Sequence, residues 1–268
     1  MKIIFILGSG HCGSTLLDLI LDDHSKIVGV GELSTFKKTS IKNEFWDSII
    51  GDESIPELNI YRDKKSFLLN NNEFKTSDTS KVIDINKYIK FHERLYGKVL
   101  SKTGATVIVD SSKNPDRVEL LSQSNIIEPV VLHVVRDGRG VFWSYFRKYK
   151  NNVLFCIFKW ILSNVKVEIL RMRVKHIPYY YISYSMFTNN PFGTLKKIIK
   201  VLDLEFEDTI LNYRDFNHNQ IGGNRMKNGN TSVIKEETSW KEDIPLYYKV
   251  VLSILYFPLL IIYKIRRF

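Results

Sequence analysis

Cysteine is nearly missing from this chain of 268 residues: Cys12 and Cys156 are the only two, and they lie far apart. Neither a disulfide framework nor a cysteine-rich zinc site can be built from them, and a reducing cytosol is the compartment such usage fits. A secretory leader is not expected, because the apolar run at 3–7 behind Lys2 stops at Gly8 and is too short for an h-region. Acidic residues are outnumbered, 29 against 39 basic, for a net charge of +10. That balance suits anionic ligands or partners such as nucleotides, polyanionic sugars, nucleic acid or a membrane surface, without choosing among them. Neither a paired-carboxylate magnesium site nor a zinc-ligand cluster stands out, so no metal is expected. There is no internal repeat, low-complexity tract or clear linker, and the length fits one α/β domain over 1–268.

An uninterrupted membrane-spanning run is also wanting. Residues 247–268 are apolar with a basic finish at Lys264, Arg266 and Arg267, but Pro258 breaks the stretch, which falls short of the ~20 residues of a spanning helix. A C-terminal helix over about 245–268 is expected, either packed on the domain or anchored peripherally in a membrane interface.

What is present alternates. Runs at 2–7, 106–110, 130–135 and 179–183 are rich in Val, Ile and Tyr and read as strands. Helical patterns lie between and beyond them at 14–23, 86–103, 115–122, 138–149, 153–175 and 191–202. Strand–helix–strand repetition predicts a central parallel sheet flanked by helices on both faces, a three-layer α/β sandwich. A polar, weakly periodic excursion at about 39–80 interrupts it and is expected to shape an acceptor side. Residues 203–237 read as loop, with Gly222, Gly223 and Gly229 close to basic residues.

The chemistry concentrates in two places. Gly8-Ser-Gly-His-Cys-Gly-Ser-Thr15 follows a strand and opens a helix, the context in which glycines let backbone N–H groups and a helix N-terminus converge on an anion. The spacing of Gly8, Gly13 and Thr15 matches the nucleoside-triphosphate P-loop except that Ser14 stands in the lysine position. Loss of that lysine argues against ATP or GTP hydrolysis. The second place is Val134-Val-Arg-Asp-Gly-Arg-Gly-Val-Phe-Trp-Ser144, where Arg136 ends a strand and Ser144 follows in a helix. An arginine there offers a planar fork to phosphate oxygens at the carboxyl end of the sheet. Arg139 either joins it or faces solvent, and Trp143 is expected in the core.

Together these motifs resemble the sulfotransferases that use 3′-phosphoadenosine-5′-phosphosulfate (PAPS), a P-loop fold. In that family the loop reads Arg or Lys, Ser, Gly, Thr or Ser, Thr and an apolar residue. Here the positions are His11, Cys12, Gly13, Ser14, Thr15 and Leu16, preceded by Gly10. The departure is His11, which either donates to the bridging oxygen between phosphate and sulfate or merely packs. Cys12 reads as a small filler. The resemblance implies that Arg136 and Ser144 contact the 3′-phosphate and that Tyr184 lies against the adenine, unless it is simply core. It also implies that Arg225 and Lys227, near Trp240, belong to a loop that closes over the donor. Gly31-Glu32 matches the place where relatives carry the catalytic base, and Asp110-Ser-Ser-Lys113 resembles a segment of bacterial sulfotransferase-like chains. Glu32 or Asp110 then takes the acceptor's proton, Lys113 steadies the sulfuryl charge, and Ser111 is a candidate helix cap. The implied function is sulfuryl transfer from PAPS to a hydroxyl acceptor in the cytoplasm, a carbohydrate ahead of another small molecule or a tyrosine, with no nucleic acid involved. The alternatives are a nucleotide-dependent kinase and a non-catalytic polyanion-binding protein of the same fold.

Overall fold

The computed structural model describes residues 1–35, 44–50, 66–70, 73–76, 82–149, 152–213, 218–222 and 233–265. The first half runs β1 (Lys2–Leu7), α1 (Ser14–Asp22), β2 (Ile27–Gly31), α2 (Glu44–Ile50), β3 (Ser66–Asn70), β4 (Glu73–Thr76), β5 (Val82–Asp84), α3 (Ile85–Thr103) and β6 (Val107–Asp110). Then follow α4 (Pro115–Leu121), β7 (Glu128–Val135), α5 (Gly138–Lys148), α6 (Val153–Arg173), β8 (Tyr179–Ser183), α7 (Tyr184–Asn189), α8 (Pro191–Val201), α9 (Trp240–Asp243) and α10 (Leu246–Ile265).

Five parallel strands form the central sheet in the order β2-β6-β1-β7-β8. β1 lies in the middle, and its period-two alternation feeds both layers. Ile3, Phe5 and Leu7 face a core shared with α3, α4 and α6, while Ile4 and Ile6 face α1 and α8. The architecture is thus the expected three-layer α/β sandwich. Because all five strands are parallel, the loops after β1, β2, β6 and β7 emerge at one edge, and the chain turns to opposite sides of β1, which opens a crevice for a ligand there.

Helix starts follow local chemistry. α3 to α8 each begin with a side-chain cap: Asp84, Asn114, Asp137, Asn152, Ser183 and Asn190 accept from backbone N–H groups one turn on. α1 differs, because its N-cap is Gly13 and no side chain satisfies its first turn. A first turn without an N-cap side chain is one that can receive an anion.

Four features depart from the sequence reading. The Ile-Val-Gly-Val-Gly run is an edge strand, β2, buried throughout. The excursion contains a helix, α2, anchored by Trp46, whose indole N–H donates to the Asn219 carbonyl oxygen at 2.5 Å, and strands β3 and β4, which form an antiparallel sheet with β5 just beyond it. A short helix, α7, follows β8 directly. Finally, α10 runs without a break through Pro258 over 20 residues; it is long and apolar enough to cross a membrane by length and composition, contrary to the interruption expected at that proline.

Candidate active site

The edge loops meet in a cavity of about 590 Å³ whose walls include Gly10, His11, Gly13, Ser14, Thr15 and Leu16 from the first loop. Gly13 is left-handed at φ 99°, and a Cβ there would lie 2.5 Å from the Tyr184 ring. No larger residue fits that close approach. His11 adopts φ 62° and meets Tyr145 edge-on, with ring centroids 4.8 Å apart. Burial, and then the charges of Lys148, Arg136, Lys113 and Arg147, push the His11 pKa below its usual value. Both effects favour the neutral imidazole in the free site. Cys12 is fully buried, its side chain packed in the core beneath the loop and not lining the cavity, as expected of a small filler.

Arg136 leaves the end of β7, nearly buried. One terminal nitrogen, Nη1, donates to the His11 carbonyl oxygen at 3.3 Å, and the guanidinium stacks on Tyr184 5.0 Å from the ring centroid. The other, Nη2, holds Glu237 at 2.6 Å. Burial works to raise the Glu237 carboxyl, but hydrogen bonds from Ser239 and Arg136 outweigh it, and its pKa is lowered. Tyr184 thus packs between Gly13 and Arg136 while still lining the cavity. Ser144 lines it too, its hydroxyl donating to the Gly140 carbonyl oxygen at 3.0 Å.

Glu32 enters from the other side, just past β2. Its N–H donates to the Ile221 carbonyl oxygen at 2.6 Å, and Gly31 before it is left-handed at φ 72°, pressed against Ile221 where a Cβ would collide. The Lys113 ammonium holds Glu32 Oε1 in a short ion pair, and both side chains line the cavity. Glu32 Oε2 has no hydrogen-bond partner among the described residues.

Several expected roles move. Asp110 is fully buried and committed elsewhere: Oδ2 accepts from Arg117 at 2.8 Å and from Tyr96 at 2.9 Å, and Oδ1 from the Ser112 N–H at 2.9 Å. It faces the core, so it is not available as a base. Ser111 caps nothing, because Asn114 is the N-cap of α4; its hydroxyl instead bonds Asp18 in a short contact that ties β6 to α1. Arg139 turns away from the cavity to chelate Asp137, with Nη2–Oδ2 2.7 Å and Nε–Oδ1 3.0 Å, and stacks 5.0 Å from the centroid of Trp240. Trp240 opens α9 and is buried under Gly140. Trp143 is half-buried, stacked on Phe146, rather than central to the core. Arg225 and Lys227 lie outside the described residues.

The structure also adds residues the motifs did not single out: Arg147, Lys148, Lys235 and Glu237 line the same cavity. Arg147 and Lys148 sit three and four positions after Ser144 on α5, which helical spacing alone could have flagged. Lys235 and Glu237 come from an irregular segment with no periodic signal. Arg147, Lys148 and Lys235 form no ion pair with a described residue, whereas both cavity carboxylates are matched to cations. The cavity therefore carries an excess of positive charge toward an uncapped helix N-terminus, the electrostatics of a site for a multiply charged anion.

The sulfotransferase family model matches residues 4–208. No curated protein matches the chain. Among solved structures, the sulfotransferase domain of the Synechococcus PCC 7002 olefin synthase is 16% identical with a TM-score of 0.61, the match covering 96% of this chain and 94% of that one. The sulfotransferase domain from the curacin biosynthetic pathway is 16% identical at a TM-score of 0.54, covering 87% and 83%. The sulfotransferase STF9 from Mycobacterium avium is 10% identical at a TM-score of 0.50, covering 79% and 66%. At these identities the likeness is one of fold.

Proposed function

The chain belongs to the sulfotransferase family, and on that premise we propose that it transfers a sulfuryl group from PAPS to a hydroxyl acceptor, a carbohydrate in the first instance. The observation that carries this reading is the convergence in one cavity of the uncapped α1 N-terminus, Arg136 with Ser144, and the Glu32–Lys113 pair. Two anion sites with Ser14 in place of the P-loop lysine suit a donor bearing a 5′-phosphosulfate and a separate 3′-phosphate better than a triphosphate. The loop from Gly10 to Leu16 would hold the first, and Arg136 and Ser144 the second.

In the reaction, the acceptor oxygen attacks sulfur in line with the bond to the bridging oxygen. The S–O bond to the acceptor forms as the bond to the bridging oxygen breaks, and adenosine 3′,5′-bisphosphate leaves. Glu32 Oε2 takes the acceptor's proton. Lys113 keeps that carboxylate oriented and, beside the sulfuryl oxygens, offsets their developing charge.

The test is a pair of measurements. Calorimetric titration should show adenosine 3′,5′-bisphosphate binding without metal and more tightly than ATP–Mg; preference for ATP–Mg would make the kinase reading correct. With labelled PAPS and a panel of hydroxyl acceptors, Glu32→Gln should lower transfer by about 10²–10⁴-fold while sparing bisphosphate binding. Binding retained with no transfer to any acceptor would favour the non-catalytic reading.

A further inference from the structure

α10 is apolar around its circumference, yet only one side of it is buried. Leu252, Tyr256 and Tyr263 pack against α5 and α6, where the Tyr256 hydroxyl donates to the Ile157 carbonyl oxygen at 2.8 Å and its ring meets Trp160 with centroids 4.7 Å apart. The opposite side presents Leu246, Val250, Ile254 and Phe257, exposed by 75%, 53%, 69% and 61%. Scattered exposed apolar residues need no explanation, but a continuous row along a 20-residue helix does. Neighbouring α6 repeats the pattern with Leu154, Phe158 and Leu162, again one per turn and exposed.

Charge says what covers this surface. The two helices carry Lys159, Lys166, Arg171, Arg173, Lys249 and Lys264 against a single carboxylate of their own, Glu168; Glu168 is engaged by Arg171 and by Tyr179, and Arg173 pairs with Glu119 of α4, which leaves the lysines in excess. A second copy of the chain would bring the same cations face to face with themselves. An apolar row flanked by cations fits an anionic bilayer, whose acyl boundary takes the row while its headgroups take the ammonium and guanidinium groups. Spanning the bilayer would strip Leu252 and Tyr256 from the core, whereas lying in the plane of the interface would not. We propose that the outward faces of α10 and α6 form a docking surface for anionic lipid membranes. The active-site cavity is close by: Phe155, in the first turn of α6, meets Tyr145 edge-on, and Tyr145 meets His11.

Sedimentation of the full chain with vesicles tests this. Binding is expected to vesicles of phosphatidylcholine with about a third phosphatidylglycerol, to weaken at least about ten-fold on pure phosphatidylcholine, and to fall in high salt. Ile254→Glu with Phe257→Glu, and separately Leu162→Glu with Phe158→Glu, should each reduce binding at least about ten-fold with the thermal midpoint and bisphosphate affinity of the unaltered chain. Equal binding by these variants, or no binding of the unaltered chain to either vesicle, would overturn the proposal. So would a stable dimer, seen by light scattering, that the same substitutions dissociate. None of these readouts depends on sulfuryl transfer, so they stand apart from the test of the proposed reaction.

Discussion

His11 is where the first loop leaves the family pattern, and its surroundings say how a histidine can serve there. Burial, and then the charges of Lys148, Arg136, Lys113 and Arg147, hold its pKa below the usual value. A cation at this position would add to an already positive cavity; a neutral imidazole relieves it. Once a multiply charged anion enters, those cations are compensated, and the histidine's pKa rises. Donor binding should therefore take up a proton. The sign follows from linkage: a group whose pKa is higher in the complex than in the free protein favours binding at low pH, and that gain is lost as pH rises through the bound-state pKa. The affinity for adenosine 3′,5′-bisphosphate, measured by calorimetry from pH 6 to 8, should fall more steeply for the unaltered chain than for His11→Gln. Parallel slopes would mean that the imidazole stays neutral in the complex and only packs on Tyr145.

At the scale of elements, the site is held by contacts between segments distant in sequence. The Arg136–Glu237 pair, 2.6 Å between Nη2 and Oε2, joins the end of β7 to the stretch before α9. In the proposed reading Arg136 takes the 3′-phosphate, so the donor must win the guanidinium from this carboxylate. Removing the charge while keeping the shape, by Glu237→Gln, should tighten bisphosphate binding about two- to five-fold, the worth of a part-exposed pair. Weaker binding would mean instead that Glu237 holds Arg136 in its binding pose. None of this was legible beforehand, because Glu237 sits in an irregular segment where no periodicity marks a face. The elements with strong periodicity were legible: β1, β7, β8 and the helices from α3 to α6 fall within a few residues of the sequence reading. β2 escaped it because a five-residue run with Gly29 and Gly31 has weak strand propensity, and only its pairing with β6 makes it a strand. Only the resemblance set Glu32 ahead of Asp110 as the base in sequence, since both follow strands at the same edge. The buried partner Arg117, seven residues on from Asp110, separates them.

For the molecule as a whole, α10 has two functions that one sequence stretch must satisfy at once. Its inner side completes the core: the Tyr256 ring covers Gly138, the first residue of α5, and fills the space beside Trp160, while Leu252 is fully buried. Its outer side is free of such duty. That division explains why the stretch shows little amphipathic contrast, being apolar on both sides for different reasons. It also separates the two roles experimentally. Tyr256→Ala should cost about 3–5 kcal/mol in urea unfolding from the lost ring and the space it leaves, and Tyr256→Phe about 1 kcal/mol from the hydrogen bond to Ile157 alone. Because the ring rests on the start of α5, two residues beyond Arg136, the alanine variant should also weaken bisphosphate binding. A loss below about 1 kcal/mol for Tyr256→Ala would mean that α10 is not docked on α5 and α6 in solution. The helix would then be free to engage a bilayer with all of its faces.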